Sequence, residues 1–166
     1  MSALDMFPEV HRPKAQELDL RYTTRDTMDL CMRLAGVREW DLDAAADAES
    51  HHAHVYFDVV CSGLALPWFG RVWCNPPFSD VPSWVEKAWA EWEGPHVTTI
   101  AMLLPCNRTE QPWWQELVEP NRDLRGGELA THFLPTRVKF GHPGNPKGIG
   151  VGSPPFGCVL LVWRRS

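Results

Sequence analysis

The sequence predicts a single α/β domain built on a mostly parallel sheet with helices on both faces. Short apolar runs rich in β-branched residues alternate with segments whose apolar residues repeat at helical spacing, a pattern typical of this fold class. The clearest strand, residues 97–104, is almost continuously apolar, as expected for a strand covered on both sides. A length of 166 residues suits one domain with a full core.

The first half of the chain predicts a lead-in, a helix and three strands. Residues 1–20 carry acids and prolines without an apolar run. We interpret them as a flexible N-terminal lead-in, not a signal peptide, to a domain over residues 21–166. A helix is predicted over residues 26–35, because apolar residues share one face and Gly36 follows as a stop. Strands are predicted over residues 40–43, 55–57 and 71–74.

The second half predicts two helices, the strand over residues 97–104 and three later strands. Pro82 suits the first turn of a helix over residues 82–93, which Gly94 and Pro95 end. A short helix is predicted over residues 110–118, and residues 141–155, rich in glycine and proline, predict a mobile loop. The later strands are predicted over residues 130–134, 137–140 and 156–163.

Three of the predicted strands end in loops that should meet. If the sheet is parallel there, the loops after residues 43, 74 and 104 converge on one rim. Ligands of such sheets bind outside the carboxyl ends of the strands. We therefore expect a candidate site at this rim.

Composition excludes some classes of protein. Five cysteines, odd in number and widely spaced, argue against a disulfide framework and a structural zinc site. We interpret them as reduced thiols in a cytoplasmic protein. No apolar run approaches the length that crosses a membrane. The net charge is −5, but acidic side chains concentrate in residues 1–60 and basic ones in residues 104–166, so a local basic face is possible.

The segment Asn75-Pro76-Pro77-Phe78 is the most informative motif, because it ends a predicted strand. Two prolines in a row make a stiff, extended turn that cannot continue a sheet ladder. The Asn75 amide carries both a donor and an acceptor, and the Phe78 ring offers a flat apolar face. Together they indicate a rigid clamp for a planar molecule with an exocyclic amino group.

This segment resembles the (Asp/Asn/Ser)-Pro-Pro-(Tyr/Phe) motif of amino-methyltransferases, which methylate adenine N6, cytosine N4 or glutamine side chains. The order of features along the chain resembles the phage-type DNA N-6-adenine methyltransferase (Dam) family. Those features are Tyr-Thr, Leu-Asp-Ala-Ala-Ala, Gly-Arg-Val-Trp-Cys-Asn-Pro-Pro-Phe-Ser, Trp-Val-Glu-Lys-Ala, and Met-Leu-Leu-Pro followed by Arg-Thr. The resemblance implies a small Rossmann-like fold that uses S-adenosyl-L-methionine, with DNA as partner. Monomer and homodimer both stay open as the assembly.

The resemblance also implies roles for individual residues. Asn75, Pro76, Pro77 and Phe78 would be catalytic. The implied cofactor-binding residues are Tyr22, Thr23, Thr24, Asp43, Ala44, Ala45 and Asn75. As phosphate contacts for DNA we expect the basic residues Arg108, Arg137, Lys139 and Lys147.

The chain departs from the family pattern at three places. Relatives often have a glycine-rich loop where this chain has Ala44-Ala45-Ala46-Asp47, and alanine disfavours positive φ. Ser62 stands where relatives often have Asp, a change that could weaken cofactor binding. Phe78 stands where many relatives have Tyr, which keeps the stacking face.

The motif predicts a mechanism of methyl transfer. An adenine amino group is a poor nucleophile, because its lone pair is delocalised into the ring. We expect the Asn75 side-chain oxygen and the Pro76 carbonyl to accept hydrogen bonds from that group, which favours a pyramidal nitrogen in the transition state. Phe78 would stack on the base, which must be flipped out of a duplex or single-stranded.

Four alternatives remain at this point. The same clamp suits cytosine N4, and a non-catalytic nucleic-acid-binding or cofactor-binding protein of the same fold fits the altered loop. A metal-dependent hydrolase would use the histidines and acids among His51, His52, His54, Asp43, Asp47 and Asp58, although adjacent histidines on a strand face opposite ways. Ser153-Pro154-Pro155-Phe156 also fits the four-residue motif, but it begins a predicted strand, so we expect its side chains at the wrong edge of the sheet.

Overall fold

A computed structural model describes residues 21–58, 62–142, 144–145 and 154–165. Two α-helices, one π-helix and eight strands make up this part of the chain. In order they are β1 (Tyr22–Thr23), α1 (Arg25–Ala35), β2 (Trp40–Asp43), β3 (Ala53–Tyr56), β4 (Gly70–Cys74), α2 (Val81–Glu93), β5 (Val97–Pro105), the π-helix Trp114–Val118, β6 (Leu129–Phe133), β7 (Phe140–Gly141) and β8 (Cys158–Arg164).

Six strands form the main sheet in the order β3-β2-β4-β5-β8-β6, and β1 pairs with β7 in a separate two-stranded sheet. The pairings among β3, β2, β4 and β5 are parallel, whereas β8 is antiparallel to both β5 and β6. The sheet is therefore mixed, and the prediction of a mostly parallel sheet is wrong. The cause lies in the route of the chain. Phe133 at the end of β6 pairs with Val159 near the start of β8, so the chain re-enters the sheet at the same end of the strands where it left, without the crossover that a parallel pair needs.

The two α-helices lie on opposite faces of the main sheet. Successive side chains of a strand point to opposite faces, so Trp163 and Arg164 of β8 mark the two sides. Trp89 of α2 packs edge-on against Trp163, with ring centroids 5.5 Å apart. On the other face, a Cβ atom added at Gly36 would lie 2.7 Å from Arg164 Nη1. Gly36 has a φ of 72° and caps α1 through bonds to the last-turn carbonyls, which confirms the predicted helix stop.

Tryptophan side chains fill much of the core. Eight of the nine are buried, and the neighbouring strands β5 and β8 are buried over most of their length. Several indole N–H groups donate to protein acceptors, such as Trp68 to the Gly63 carbonyl at 2.8 Å and Trp89 to the Leu117 carbonyl at 2.9 Å. Large aromatic rings contribute much of the hydrophobic stabilisation when their polar atoms find partners in this way.

Some predicted elements are shorter than expected. The strand predicted over residues 137–140 is confined to Phe140–Gly141, because its partner β1 spans two residues before Thr24 caps α1. Of the helix predicted over residues 110–118, the last five residues form the π-helix. The strand predicted to begin at residue 156 begins at Cys158.

Four cysteines of the described part, Cys31, Cys74, Cys106 and Cys158, are free thiols. Cys61 lies outside the described residues, as do residues 1–20. In the part of the chain that is described, every helix is too short or too polar to span a bilayer.

Candidate active site

The carboxyl ends of β2, β4 and β5 lie at one rim of the sheet, because these neighbouring strands are parallel. The predicted convergence of three strand ends is thus confirmed. A cavity of about 450 Å³ opens at the ends of β2 and β4. The loop after β5 does not line it; the cavity is instead lined by residues of β1 and of the loops after β2, β3 and β4.

Most of the predicted cofactor residues line this cavity. They are Tyr22, Thr23, Asp43, Ala44, Ala45 and Asn75. Thr24 does not line it, because Thr24 is the N-cap residue of α1 and its hydroxyl lies 3.1 Å from the Thr27 hydroxyl. The predicted cluster is therefore brought together except for this one residue.

The Asp43 carboxyl group is buried in the cavity wall, with 1% of the residue exposed. Its Oδ2 accepts a hydrogen bond from the His52 main-chain N–H at 2.9 Å, and its Oδ1 accepts one from Ala45 N–H at 3.4 Å. Burial raises the pKa of Asp43 to about 7, although the two N–H groups act in the opposite direction. An ionised Asp43 would offer a negative charge to a cationic ligand in this cavity.

The alanine loop after Asp43 needs no glycine. Within the described residues, positive φ occurs at Asp123 and at three glycines far from this loop in sequence, so the alanines adopt ordinary backbone conformations. Ala44 N–H donates to the Trp73 carbonyl at 2.9 Å. A glycine is instead needed at Gly63, whose backbone packs closely against this loop. A Cβ atom added there would lie 2.0 Å from the Ala44 carbonyl oxygen.

The Asn75 side chain is held by its nitrogen and leaves its oxygen without a partner. Nδ2 donates to the Arg21 carbonyl at 2.7 Å and to the Thr23 hydroxyl at 3.2 Å. Oδ1 is buried and accepts no hydrogen bond from any described residue. A buried acceptor without a partner costs about 1–3 kcal/mol, and such groups call for an explanation. Because Asn75 also lines the cavity, its free oxygen fits an acceptor for an incoming N–H group.

The Phe78 side chain is not part of the cavity lining. Its ring is 4% exposed and meets the rings of Phe140 and Phe156 edge-on, at centroid distances of 6.0 and 5.9 Å. We call these three rings the phenyl cluster. Asn75 and Pro77 line the cavity while Phe78 belongs to the phenyl cluster, so the two ends of the segment have different surroundings.

The predicted DNA-binding cations have different surroundings. Arg108 Nη1 donates to the Phe78 carbonyl at 2.6 Å, so this side chain fixes the end of the Asn-Pro-Pro-Phe segment. Arg137 and Lys139 are exposed and flank the buried Val138 in the extended segment that leads to Phe140. They therefore present two positive charges at the surface, close to Phe140 in the chain. Lys147 lies outside the described residues.

Comparison with known proteins now gives the family. A family model described as DNA N-6-adenine-methyltransferase (Dam) matches residues 14–164. The chain belongs to the Dam family. It is also 31% identical over 129 residues to a protein named DNA N-6-adenine-methyltransferase from Escherichia phage T1. That match covers 66% of this chain and 52% of the phage protein, so the Dam-family chain spans about half the length of that relative.

Several cavity residues of this Dam-family chain were not among the predicted cofactor residues. They include Asp47, His52, Phe57, Asp58, Ser62, Gly63, Trp73 and Trp84. A sequence signal for Asp58 existed, because it directly follows the strand predicted over residues 55–57. In the structure β3 is parallel to β2, so both strands end at the same rim. The departure at Ser62 leaves a hydroxyl rather than a carboxylate in the lining.

The histidines give the metal-site alternative no support. His51 stacks on Tyr56 with ring centroids 4.3 Å apart, and His54 is exposed. His52 faces Trp73 edge-on, and burial together with the neighbouring His51 lowers the pKa of His52 to about 4. Within the residues described, no three His, Cys, Asp or Glu side chains form a group that could hold a metal ion.

The second Pro-Pro-Phe sequence of this Dam-family chain reaches the same rim as the first. Ser153 lies outside the described residues, but Phe156 contacts the Phe78 ring. The expectation that its side chains lie at the wrong edge is wrong for Phe156. Because β8 is antiparallel, it begins at the rim where β5 ends, and Pro105 pairs with Cys158.

Proposed function

We propose that this Dam-family protein transfers a methyl group from S-adenosyl-L-methionine to the N6 amino group of adenine in DNA. One observation carries the proposal: the buried Oδ1 of Asn75, which accepts no hydrogen bond from the described residues and belongs to a segment that contacts both a cavity of small-molecule size and an aromatic cluster. The names of the family and of the phage T1 relative support DNA adenine as the target. The site would act in the cytoplasm of a bacterial host.

The cavity fits the methyl donor in size and charge. Sites for small molecules typically enclose about 300–1,000 Å³, and this cavity encloses about 450 Å³. Asp43 would face the positive charges of the donor, while Ala44 and Ala45 leave room against the backbone. Tyr22 and Thr23 would close the opposite side. When bound, S-adenosyl-L-methionine supplies an electrophilic methyl group.

Asn75 would hold the target amino group. Its Oδ1 and the Pro76 carbonyl accept the two N–H bonds, which favours a pyramidal nitrogen with a usable lone pair. The Asn75 amide cannot turn without losing its bonds to Arg21 and Thr23, so the acceptor is oriented before the base arrives. An amide is not a strong base, so the amino group loses its proton after the methyl group has been transferred. Positioning of both reactants supplies the remaining rate enhancement.

The DNA would reach the site through a flipped-out or single-stranded adenine, because a stacked base cannot enter such a pocket. Phe78 supplies an aromatic face on which the base can stack. Arg137 and Lys139, exposed in the segment before Phe140, would contact phosphates, as would Lys147. Arg108 would keep the Phe78 carbonyl in place.

The decisive assay identifies the modified nucleoside. The protein is incubated with methyl-labelled S-adenosyl-L-methionine and duplex DNA of mixed sequence, and the DNA is then digested to nucleosides. We expect label in N6-methyldeoxyadenosine. Label in N4-methyldeoxycytidine would show that cytosine, and not adenine, is the target base. Binding of the cofactor without methyl transfer would indicate a non-catalytic protein.

The role of Asn75 makes a sharper prediction. Asn75→Ala removes the acceptor oxygen, so we expect methyl transfer to fall by at least about 10²-fold, as for other pre-oriented groups that hold a transition state. Binding of S-adenosyl-L-methionine, measured by calorimetric titration, should change little. Asn121→Ala is the matched control, because Asn121 lies in the turn after the π-helix, where its amide donates to the Leu117 carbonyl, and neither residue lines the cavity. Full activity in Asn75→Ala would refute the assignment.

A further inference from the structure

One arginine lies over all three rings of the phenyl cluster. The Arg21 Cζ atom lies 5.2 Å from the centroid of the Phe78 ring. The corresponding distances to Phe140 and Phe156 are 5.7 and 5.6 Å. The rings come from the exit of β4, from β7 and from the segment before β8. Three distant parts of the chain thus build aromatic walls around one guanidinium group.

A guanidinium group and a nucleic-acid base pack against aromatic rings in similar ways. Both are flat and delocalised, both stack on aromatic faces, and both carry N–H groups at their edges. Walls that receive the flat guanidinium group of Arg21 therefore have the shape and chemistry to receive a flat heterocycle.

The Phe78 ring cannot stack on a base while its present neighbours remain in place. It is 4% exposed, with two rings edge-on against it and Arg21 above it. Phe140 belongs to a strand that pairs with β1 at Thr23, so its ring can move away only if that pairing opens. Arg21 is the long, flexible side chain of the group, so it is the neighbour that can leave without disturbing a strand.

Arg21 also connects the phenyl cluster with the asparagine. Its carbonyl accepts the Asn75 Nδ2 hydrogen bond at 2.7 Å, while its side chain lies over the Phe78 ring. Arg21 thus contacts the first and the last residue of the Asn-Pro-Pro-Phe segment, and it lines the cavity as well. The space that its guanidinium group fills is therefore next to the residues that would hold the amino group.

We propose that Phe78, Phe140 and Phe156 form the pocket for the flipped adenine, and that the Arg21 side chain occupies this pocket until the base displaces it. The proposal rests on the proposed function for the identity of the base. It adds two aromatic walls that the four-residue motif does not contain, and it gives the second Pro-Pro-Phe sequence a role through Phe156. The base must compete with a cation–π contact that the protein makes with itself.

The test uses 2-aminopurine deoxyribonucleoside, a fluorescent adenine analogue without phosphates, so that backbone electrostatics play no part. Its emission falls when it stacks on an aromatic ring. Titration with protein compares the wild type with Arg21→Ala, and the double variants Arg21→Ala/Phe140→Leu and Arg21→Ala/Phe156→Leu test the walls. Arg125→Ala and Phe133→Leu are matched controls at exposed positions.

We expect Arg21→Ala to bind the nucleoside about tenfold more tightly than the wild type, because no cation–π contact has to be displaced. Each added Phe→Leu change should reverse this gain by about fivefold or more, because base–aromatic stacking is lost. A purely structural role for Arg21 predicts no tightening. Equal or weaker binding by a folded Arg21→Ala protein overturns the proposal.

Two further outcomes keep the test decisive. If circular dichroism shows that Arg21→Ala does not fold, Arg21→Lys keeps the charge and removes the flat group, and unchanged nucleoside affinity in that variant overturns the pocket. Failure of this proposal is distinguishable from failure of the proposed function. Adenine methylation by the wild type without tightening in Arg21→Ala refutes the pocket alone, whereas tightening without any adenine methylation by the wild type refutes the function alone.

Discussion

Asp43 and His52 share a wall of the cavity, and burial shifts their pKa values in opposite directions. The pKa of Asp43 rises from 3.8 to about 7, and that of His52 falls from 6.5 to about 4, with desolvation as the main cause for both. The raised pKa of Asp43 gives stability that is present below pH 3.8 and lost as the pH rises through 7. The lowered pKa of His52 gives stability that is present above pH 6.5 and lost as the pH falls through 4. Between about pH 4 and 6.5 the two effects oppose each other.

Replacement of either titratable side chain, Asp43 or His52, should therefore reveal how the other one makes stability depend on pH. Relative to the wild type, we expect the free energy of unfolding of Asp43→Asn to gain a slope of about +1.4 kcal/mol per pH unit between about pH 4.5 and 6. His52→Gln should gain a slope of similar size and opposite sign. Urea denaturation at several pH values in this window measures both. Difference profiles of the same sign in the two variants would contradict the assigned shifts.

The loop between β3 and β4 touches the alanine loop at one glycine. A Cβ atom at Gly63 would lie 2.0 Å from the Ala44 carbonyl oxygen and 3.1 Å from the Trp84 ring. A backbone carbonyl cannot give way without moving its loop, and the Ala44 N–H is tied to the Trp73 carbonyl. The glycine therefore sets the distance between two walls of the cavity.

Gly63→Ala should separate these walls. We expect it to lower the free energy of unfolding by about 1–3 kcal/mol and to weaken binding of S-adenosylhomocysteine, the product of the proposed donor, by at least about tenfold. Urea denaturation and calorimetric titration measure the two effects. Gly94→Ala is the matched control, since its Cβ atom would lie 3.3 Å from the Glu91 carbonyl oxygen, outside the cavity lining. Unchanged affinity in Gly63→Ala would show that the alanine loop does not hold the ligand.

Most elements could be predicted because their signals are local. The apolar run over residues 97–104, Gly36 after the first helix and the stiff Asn75–Phe78 segment each depend on a few neighbouring residues. The direction of β8 could not be predicted in this way, because it depends on where the chain re-enters the sheet. For the same reason Phe156 was expected at the wrong edge. The sequence also could not show whether the nitrogen or the oxygen of the Asn75 amide forms hydrogen bonds within the protein. The partners of its nitrogen lie more than 50 positions earlier in the chain.

At the scale of the whole molecule, an acidic chain would have to bind DNA through a small basic region. The net charge is −5, yet Arg137 and Lys139 are both exposed in the segment that leads to Phe140. Arg108 differs from them, because its guanidinium group donates to the Phe78 carbonyl. We therefore expect the predicted phosphate contacts to divide into two kinds, one that attracts DNA and one that positions the Asn-Pro-Pro-Phe segment.

Salt dependence separates these kinds. For Arg137→Ala, we expect the slope of log affinity against log salt concentration to become shallower by about 0.9, as for one lost phosphate contact. Arg108→Ala should leave that slope unchanged and lower kcat. Fluorescence anisotropy with labelled duplex DNA at several salt concentrations, together with the methyl-transfer assay, measures both. Arg125→Ala is the control for loss of an exposed positive charge. A shallower slope in Arg108→Ala would make Arg108 a phosphate contact after all.

The pairing of β1 with β7 comprises two residues on each side, whereas β5 and β8 pair over seven. A ladder this short opens at a much lower free energy than the long pairings of the main sheet. Opening would release Phe140 and Thr23 together while the six-stranded sheet stays closed. The protein thus combines a rigid main sheet with a short β1–β7 pairing next to Asn75 that can open locally. A bulky ring could therefore enter or leave without global unfolding.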